Sequence, residues 1–146
     1  MRSRLLAEHG GTTHILVFDK GDEVVGELEA FAREHDLTAA SFTGIGAFSR
    51  VTLGYFDWET KEYLEIPLEE QVEVLTLAGD IALKDGEPAV HAHVVVGGRD
   101  GRASGGHLLE AEVRPTLEVV LSQAPEALQK RFDPETGLAL IDPDAG

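Results

Sequence analysis

Three of the six histidines fall between Pro88 and Glu110. Imidazole is the side chain best suited to hold a divalent transition ion or to move a proton near neutral pH. His91 and His93 alternate with Val90, Ala92, Val94 and Val96, so on a strand the two rings share one face and the small apolar residues the other. Gly97-Gly98-Arg99-Asp100-Gly101 has the composition of a turn, and a return strand from Arg102 carries His107. Register then decides the chemistry. A connection over 97–101 pairs Val96 with Arg102, sets His91 opposite His107 and His93 opposite Gly105, and brings all three imidazoles together. A tight Asp100-Gly101 turn instead pairs His107 with Val94 and sends it to the other face. Gly105 and Gly106 leave room for a ligand sphere. Three neutral imidazoles leave one coordination position open, the arrangement with which zinc lowers the pKa of bound water to about 7. Iron, nickel and copper also suit imidazole. Without an ion, the same residues are hydrogen-bonded polar positions of a pocket.

Glu73, Glu110 and Glu112 are the candidate acids. Glu73 lies on a strand whose own face otherwise reads Leu75 and Leu77, so if buried it needs an imidazolium, bound water or backbone donors. It is the first choice for a catalytic base, with exposure at an edge as the alternative. Gly44 and Gly46 alternate with Ile45 and Ala47 and mark a place of close approach or a bend, lining the way to the pocket. Ser104 lacks the strand-to-helix elbow that presents a serine nucleophile. His9, His14 and His35 have no comparable partners; His35 falls at a helix C-terminus, a structural position.

These residues need a scaffold of strands. Residues 12–18 are β-branched and aromatic enough for a buried strand. Val24, Val25, Leu28, Phe31 and Ala32 then form one face of a helix, with Asp22 placed to cap it. From residue 38 the period shortens to two, with segments near 38–47, 49–57, 71–84, 88–96, 103–109 and 112–121, and short gaps that favour antiparallel pairing. Pro115 weakens the last of these or puts it at an edge. Pro125, Leu128 and Phe132 suggest a short C-terminal helix, followed by an irregular tail over about 133–146. The fold class expected is α/β (α+β): a mainly antiparallel sheet with one long helix packed on it, over a single domain, 1–146.

Composition sets further bounds. The chain carries 27 Asp and Glu against 12 Lys and Arg, a formal net charge of −15, and no cysteine. Disulfides, thiolate metal sites and a cysteine nucleophile are excluded, so a metal must be held by histidine or carboxylate. The acidic field opposes direct binding to phosphate backbones. No signal peptide or membrane span is visible, which predicts a cytoplasmic protein.

The sequence also resembles the PPC family, the plants and prokaryotes conserved domain that follows the AT-hook in plant proteins, in its stand-alone prokaryotic form. The likeness covers nearly the whole chain. It is carried by the Gly21-Asp22-Glu23 helix start, Phe42-Thr43-Gly44-Ile45-Gly46-Ala47, the Glu73 strand ending in Leu77-Ala78-Gly79, Pro88 to His93, Gly105-Gly106-His107 and Thr116-Leu117-Glu118-Val119-Val120. The resemblance implies a mainly antiparallel sheet flanked by helix, a homotrimer, and a metal site on His91, His93 and His107. The AT-hook core Arg-Gly-Arg-Pro is absent, the only Arg-Pro being Arg114-Pro115, so minor-groove binding by such an arm does not carry over.

Two functions follow as expectations. One is a trimeric metalloprotein, zinc being the best match, that binds or activates a small molecule or water. The other is a non-catalytic oligomerisation or regulatory module associated with DNA-binding or transcription partners. A single helix covers one face of the sheet only, and Leu53, Tyr55, Phe56 and Trp58 are read as needing cover from another subunit.

Overall fold

A computed structural model describes residues 1–7 and 11–145. The elements run β1 (Arg2–Ala7), β2 (Thr12–Phe18), α1 (Val24–Glu34), β3 (Ala39–Asp57), β4 (Glu62–Leu68), β5 (Val72–Lys84), β6 (Glu87–Gly97), β7 (Ala103–Gln123), β8 (Gln129–Asp133) and β9 (Leu138–Asp142). All the pairings among them are antiparallel except β5 with β8. β3 pairs with β5, β5 with β6, β6 with β7, and β7 back to β3, so these four strands close a ring.

The ring closes because β3 and β7 are long and bulged. Each was expected as two segments, and each is one strand bent where the register slips, at Gly44/Gly46, Gly46/Phe48, Phe48/Arg50 and Thr52/Leu53. Gly46 is required there, since a Cβ would collide with the Thr116 carbonyl oxygen. Pro115 sits opposite the slip between Gly46 and Phe48, where β7 has no ladder partner on either side, so the proline interrupts the pairing as expected although the strand continues through it. The bulge removes the ladder bond that proline cannot make.

The helix lies over the ring and buries Val24, Leu28, Phe31 and Ala32. Around them pack Leu16, Phe18, Phe42, Phe48, Leu77, Val94, Val113 and Leu117. Glu23, not Asp22, is its N-cap: the Glu23 carboxylate accepts from the amides of Val25 and Gly26 at 3.2 and 2.7 Å. Asp22 instead accepts from the Asp19 amide at 2.8 Å and pairs with the N-terminal ammonium at 2.7 Å.

The C-terminal expectation is corrected. Among the described residues no helix follows Pro125; β8 and β9 form a hairpin, and residues 138–142 are strand where an irregular tail was expected. Leu128 and Phe132 are four apart but do not share a buried face, Phe132 being 70 % exposed. The Asp133 carboxylate accepts from the amides of Glu135 and Thr136, and Gly137 takes a φ of 77°, which turns the chain back on itself. β8 docks on β5 just beyond Ala39, where β3 begins, pairing in parallel with Leu83 and Lys84. β1 and β4 were not anticipated either. Among the described residues no helix is long and apolar enough to cross a membrane.

Candidate metal centre

The β6–β7 ladder pairs His93 with His107, Val94 with Gly106 and Val96 with Ser104. Neither expected register is the one formed. The connection is 98–102, held by the Gly98 amide on the Arg102 carbonyl at 2.8 Å and by the Gly101 amide on the Gly98 carbonyl at 2.9 Å. Shifting both ends by one residue moves His107 from opposite His91 to opposite His93 and preserves its face. Ala92, Val94 and Val96 fill the core, and the histidines stand on the outer side.

The three rings converge. Their centroids are 5.2 Å (His91–His93), 5.3 Å (His91–His107) and 5.5 Å (His93–His107) apart. One ring nitrogen from each can be chosen so that all three lie within 4.8 Å of one another. His107 Nδ1 is buried and has no hydrogen-bond partner among the described residues. Burial pushes His107 down to about 4, assisted by the positive charge that His91, His93 and Lys130 can carry. Burial, then His91, also lowers His93. Both rings are therefore neutral at pH 7, with lone pairs free to ligate. An orphaned ring nitrogen among neutral imidazoles fits a divalent cation of the zinc class.

The surroundings come from other elements. Asp80 pairs with His91 across the β5–β6 ladder, and its Oδ2 accepts from His91 Nδ1 at 3.2 Å. Ala78 is the small residue beside His93. Gly54 of β3 pairs with His107, and a Cβ on Gly54 would press on Tyr63 Cδ1. Without it the Tyr63 ring of β4 lies over His107, centroids 4.7 Å apart. Lys130 Nζ of β8 is 3.1 Å from Asp80 Oδ1.

Other expected site residues lie elsewhere. Glu73 is exposed, pairs with Ala47 and Gly97, and lines a separate cleft of about 570 Å³ with Ile45, Gly46, Leu75, Pro115 and Glu118. The carboxylate beside the histidines is Asp80. Gly46 opens that separate cleft, while Gly44 is packed against Val119 and Leu77. Gly105 and Gly106 are next to His107 in the ladder, Gly106 in close approach to the Gly54 carbonyl. Glu110 and Glu112 pair with Arg50 at 3.6 and 3.5 Å and accept from Thr52 and Ser49, away from the rings.

His35 is structural, as expected: it is the helix C-cap, its Nδ1 donates to the Phe31 carbonyl at 3.1 Å, and it stacks on the Phe31 ring. His14, read as partnerless, packs edge-on against Phe31 and His35. His9 lies outside the described residues.

Fold and site together define a mixed sheet protein with, among the described residues, one helix and an outward-facing three-histidine cluster. The family model of the Plants and Prokaryotes Conserved (PCC) domain matches residues 6–125, and the chain belongs to that family. It is similar to the metal-containing protein AF0104 from Archaeoglobus fulgidus, with 39 % identity over 88 % of this chain and 91 % of that one and a TM-score of 0.82. A protein from Bacteroides thetaiotaomicron proposed to bind DNA is 30 % identical, with 96 % of each chain covered and a TM-score of 0.88. Among curated proteins, the bifunctional protein GlmU of Synechococcus sp. (strain JA-3-3Ab) is 37 % identical over 123 residues, 80 % of this chain but 18 % of the relative's length.

Proposed function

We propose that the chain is the subunit of a homotrimeric metalloprotein in which His91, His93 and His107 hold a divalent cation, zinc fitting the donor set best, at a site that takes up a small molecule or water. The observation that carries this reading is the convergence of three imidazole nitrogens, one of them buried and without a partner. When bound, such an ion supplies a Lewis acid with an open position, able to polarise a carbonyl or to lower the pKa of water. The protein's own part is to present neutral rings, to hold His91 through Asp80 and to cover His107 with Tyr63. A chain similar at 39 % identity is described as metal-containing, which agrees with this reading. Metal analysis of protein purified without a histidine tag tests it. About one ion per chain is expected in the wild type, with loss in His91→Ala and His107→Ala; a metal-free wild type that takes up no added zinc would remove the basis of the proposal.

The trimer rests on apolar surface. Tyr55 (62 %), Leu64 (53 %), Trp58 (52 %) and Ile66 (43 %) are exposed on the β3–β4 hairpin. Leu53, expected among them, is fully buried and takes no part. Contiguous apolar patches of this kind are characteristic of association surfaces.

A second reading, a regulatory module acting with DNA-bound partners, draws on the likeness to the Bacteroides protein. The net charge of −15 opposes contact with the phosphate backbone, so under this reading the contact is with a protein partner. A gel-shift titration would show no shift for the chain alone and a salt-sensitive shift if it bound DNA directly.

A further inference from the structure

Lys130 is a cation in an unusual place. Its side chain is only 7 % exposed, and among the described residues its one ion-pair partner is Asp80, with Nζ 3.1 Å from Oδ1. The angles miss those of a hydrogen bond, so Oδ1 is buried with no donor of that kind and depends on the ammonium charge. The other carboxylate oxygen, Oδ2, is 3.2 Å from His91 Nδ1. Burying an ammonium and part of a carboxylate is costly unless each neutralises the other, so neither would be retained here for solubility.

The chemistry of the two oxygens then sets the ring. An ionised carboxylate accepts only, so the hydrogen between Asp80 and His91 is on Nδ1, which leaves Nε2 as the nitrogen that can offer a lone pair. A carboxylate behind a histidine is how protein metal sites fix tautomer and orientation. Here the carboxylate is itself held by a residue of the C-terminal hairpin, beyond the end of the family match at residue 125.

We propose that Lys130 is a positioning residue for the metal centre: by holding the Asp80 carboxylate of β5 from β8 it keeps His91 in the tautomer that turns a lone pair towards His93 and His107. β8 thus serves the site as well as the edge of the sheet. The inference rests on the metal-centre reading above, and its test is chosen so that the two can fail separately.

Two measurements are made on full-length Lys130→Met, Lys130→Arg, Asp80→Asn and the Asp80→Asn/Lys130→Met double variant. In the metal-free protein, histidine ¹⁵N shifts report the tautomer of each ring. Wild type and Lys130→Arg should show His91 protonated on Nδ1, whereas Lys130→Met and Asp80→Asn should show a mixture. Zinc affinity by chelator competition should fall roughly 10- to 100-fold in Asp80→Asn and by about 10-fold in Lys130→Met, with Lys130→Arg close to wild type, the range over which residues behind a ligand act. The double variant keeps the test valid if Lys130→Met fails to fold on its own. It should bind zinc no more weakly than Asp80→Asn, because Lys130 reaches His91 only through Asp80. An unchanged His91 tautomer in Lys130→Met, or losses that add in the double variant, would overturn the proposal. A wild type that binds no zinc would defeat the metal-centre reading while the tautomer measurement still decided the role of Lys130.

Discussion

His93 and His107 stand directly opposite each other across the β6–β7 ladder, ring centroids 5.5 Å apart, although they are separated by a glycine-rich turn. Cross-strand neighbours share a face. His91, two residues before His93, must join them. Any substitution that slips this ladder by one residue therefore takes His107 out of the cluster.

The pH dependence of stability follows from the three histidines, among the described residues, whose pKa lies below the ordinary value. His14, His93 and His107 are all lowered, burial being the first cause in each, and His107 falls to about 4. Between about 6.5 and 4 the unfolded chain binds protons that the folded chain refuses, so stability falls as pH falls through that window. Urea midpoints of metal-free protein should decline from pH 7 to pH 4.5, and less steeply in His107→Asn. A flat profile over that range would show the rings to be solvated.

Gly79 faces the backbone of the neighbouring strand. A Cβ there would collide with the His91 carbonyl oxygen and the Phe42 ring. Gly79→Ala is expected to cost about 1–3 kcal/mol, as overpacking does, and to weaken zinc binding by displacing His91. Denaturant unfolding and chelator competition measure the two effects. Loss of neither would mean that the ladder yields freely at this point.

The helix cap offers a prediction remote from the site. Glu23 accepts from Val25 and Gly26, and less closely from Ala111 at 3.4 Å. Glu23→Ala should cost about 0.5–2 kcal/mol and leave zinc affinity unchanged. A change in affinity would show that the helix and the histidine ladder move together.

Association should depend on the β3–β4 hairpin. Light scattering on wild-type protein is expected to give three times the 15.7 kDa chain mass, and Tyr55→Glu/Trp58→Glu should give the monomer. A monomeric wild type at micromolar concentration would contradict the trimer.

The histidine face was legible because alternation along a strand is insensitive to shifts of register by an even amount. Pairs shifted from His91–His107 to His93–His107 still put the rings together. Glu73 is exposed, the alternative that the alternation left open: its strand was recognised, but its neighbours Ala47 and Gly97 were not. The signal for Asp80 was present. Asp85-Gly86, with φ of 54° and 86°, makes the tight turn of the β5–β6 hairpin, and counting back from it along both strands brings Asp80 to His91. Lys130 was hidden because Leu128 and Phe132 have helical spacing, while the hairpin is decided by the Asp133 turn and by the strand edge left free beyond Ala39. β4 had no strong alternation; the Asp57 carboxylate, accepting from Glu59 and Thr60, turns the chain so that it lies against β3.

The central claim is that the three imidazoles share one ion, and anomalous diffraction from crystals of zinc-loaded protein, collected on both sides of the zinc edge, tests it most directly. The account predicts one peak per chain, about 2.0–2.1 Å from a ring nitrogen of each of His91, His93 and His107. No peak among the rings, or one held by two of them with His107 turned away, would contradict it.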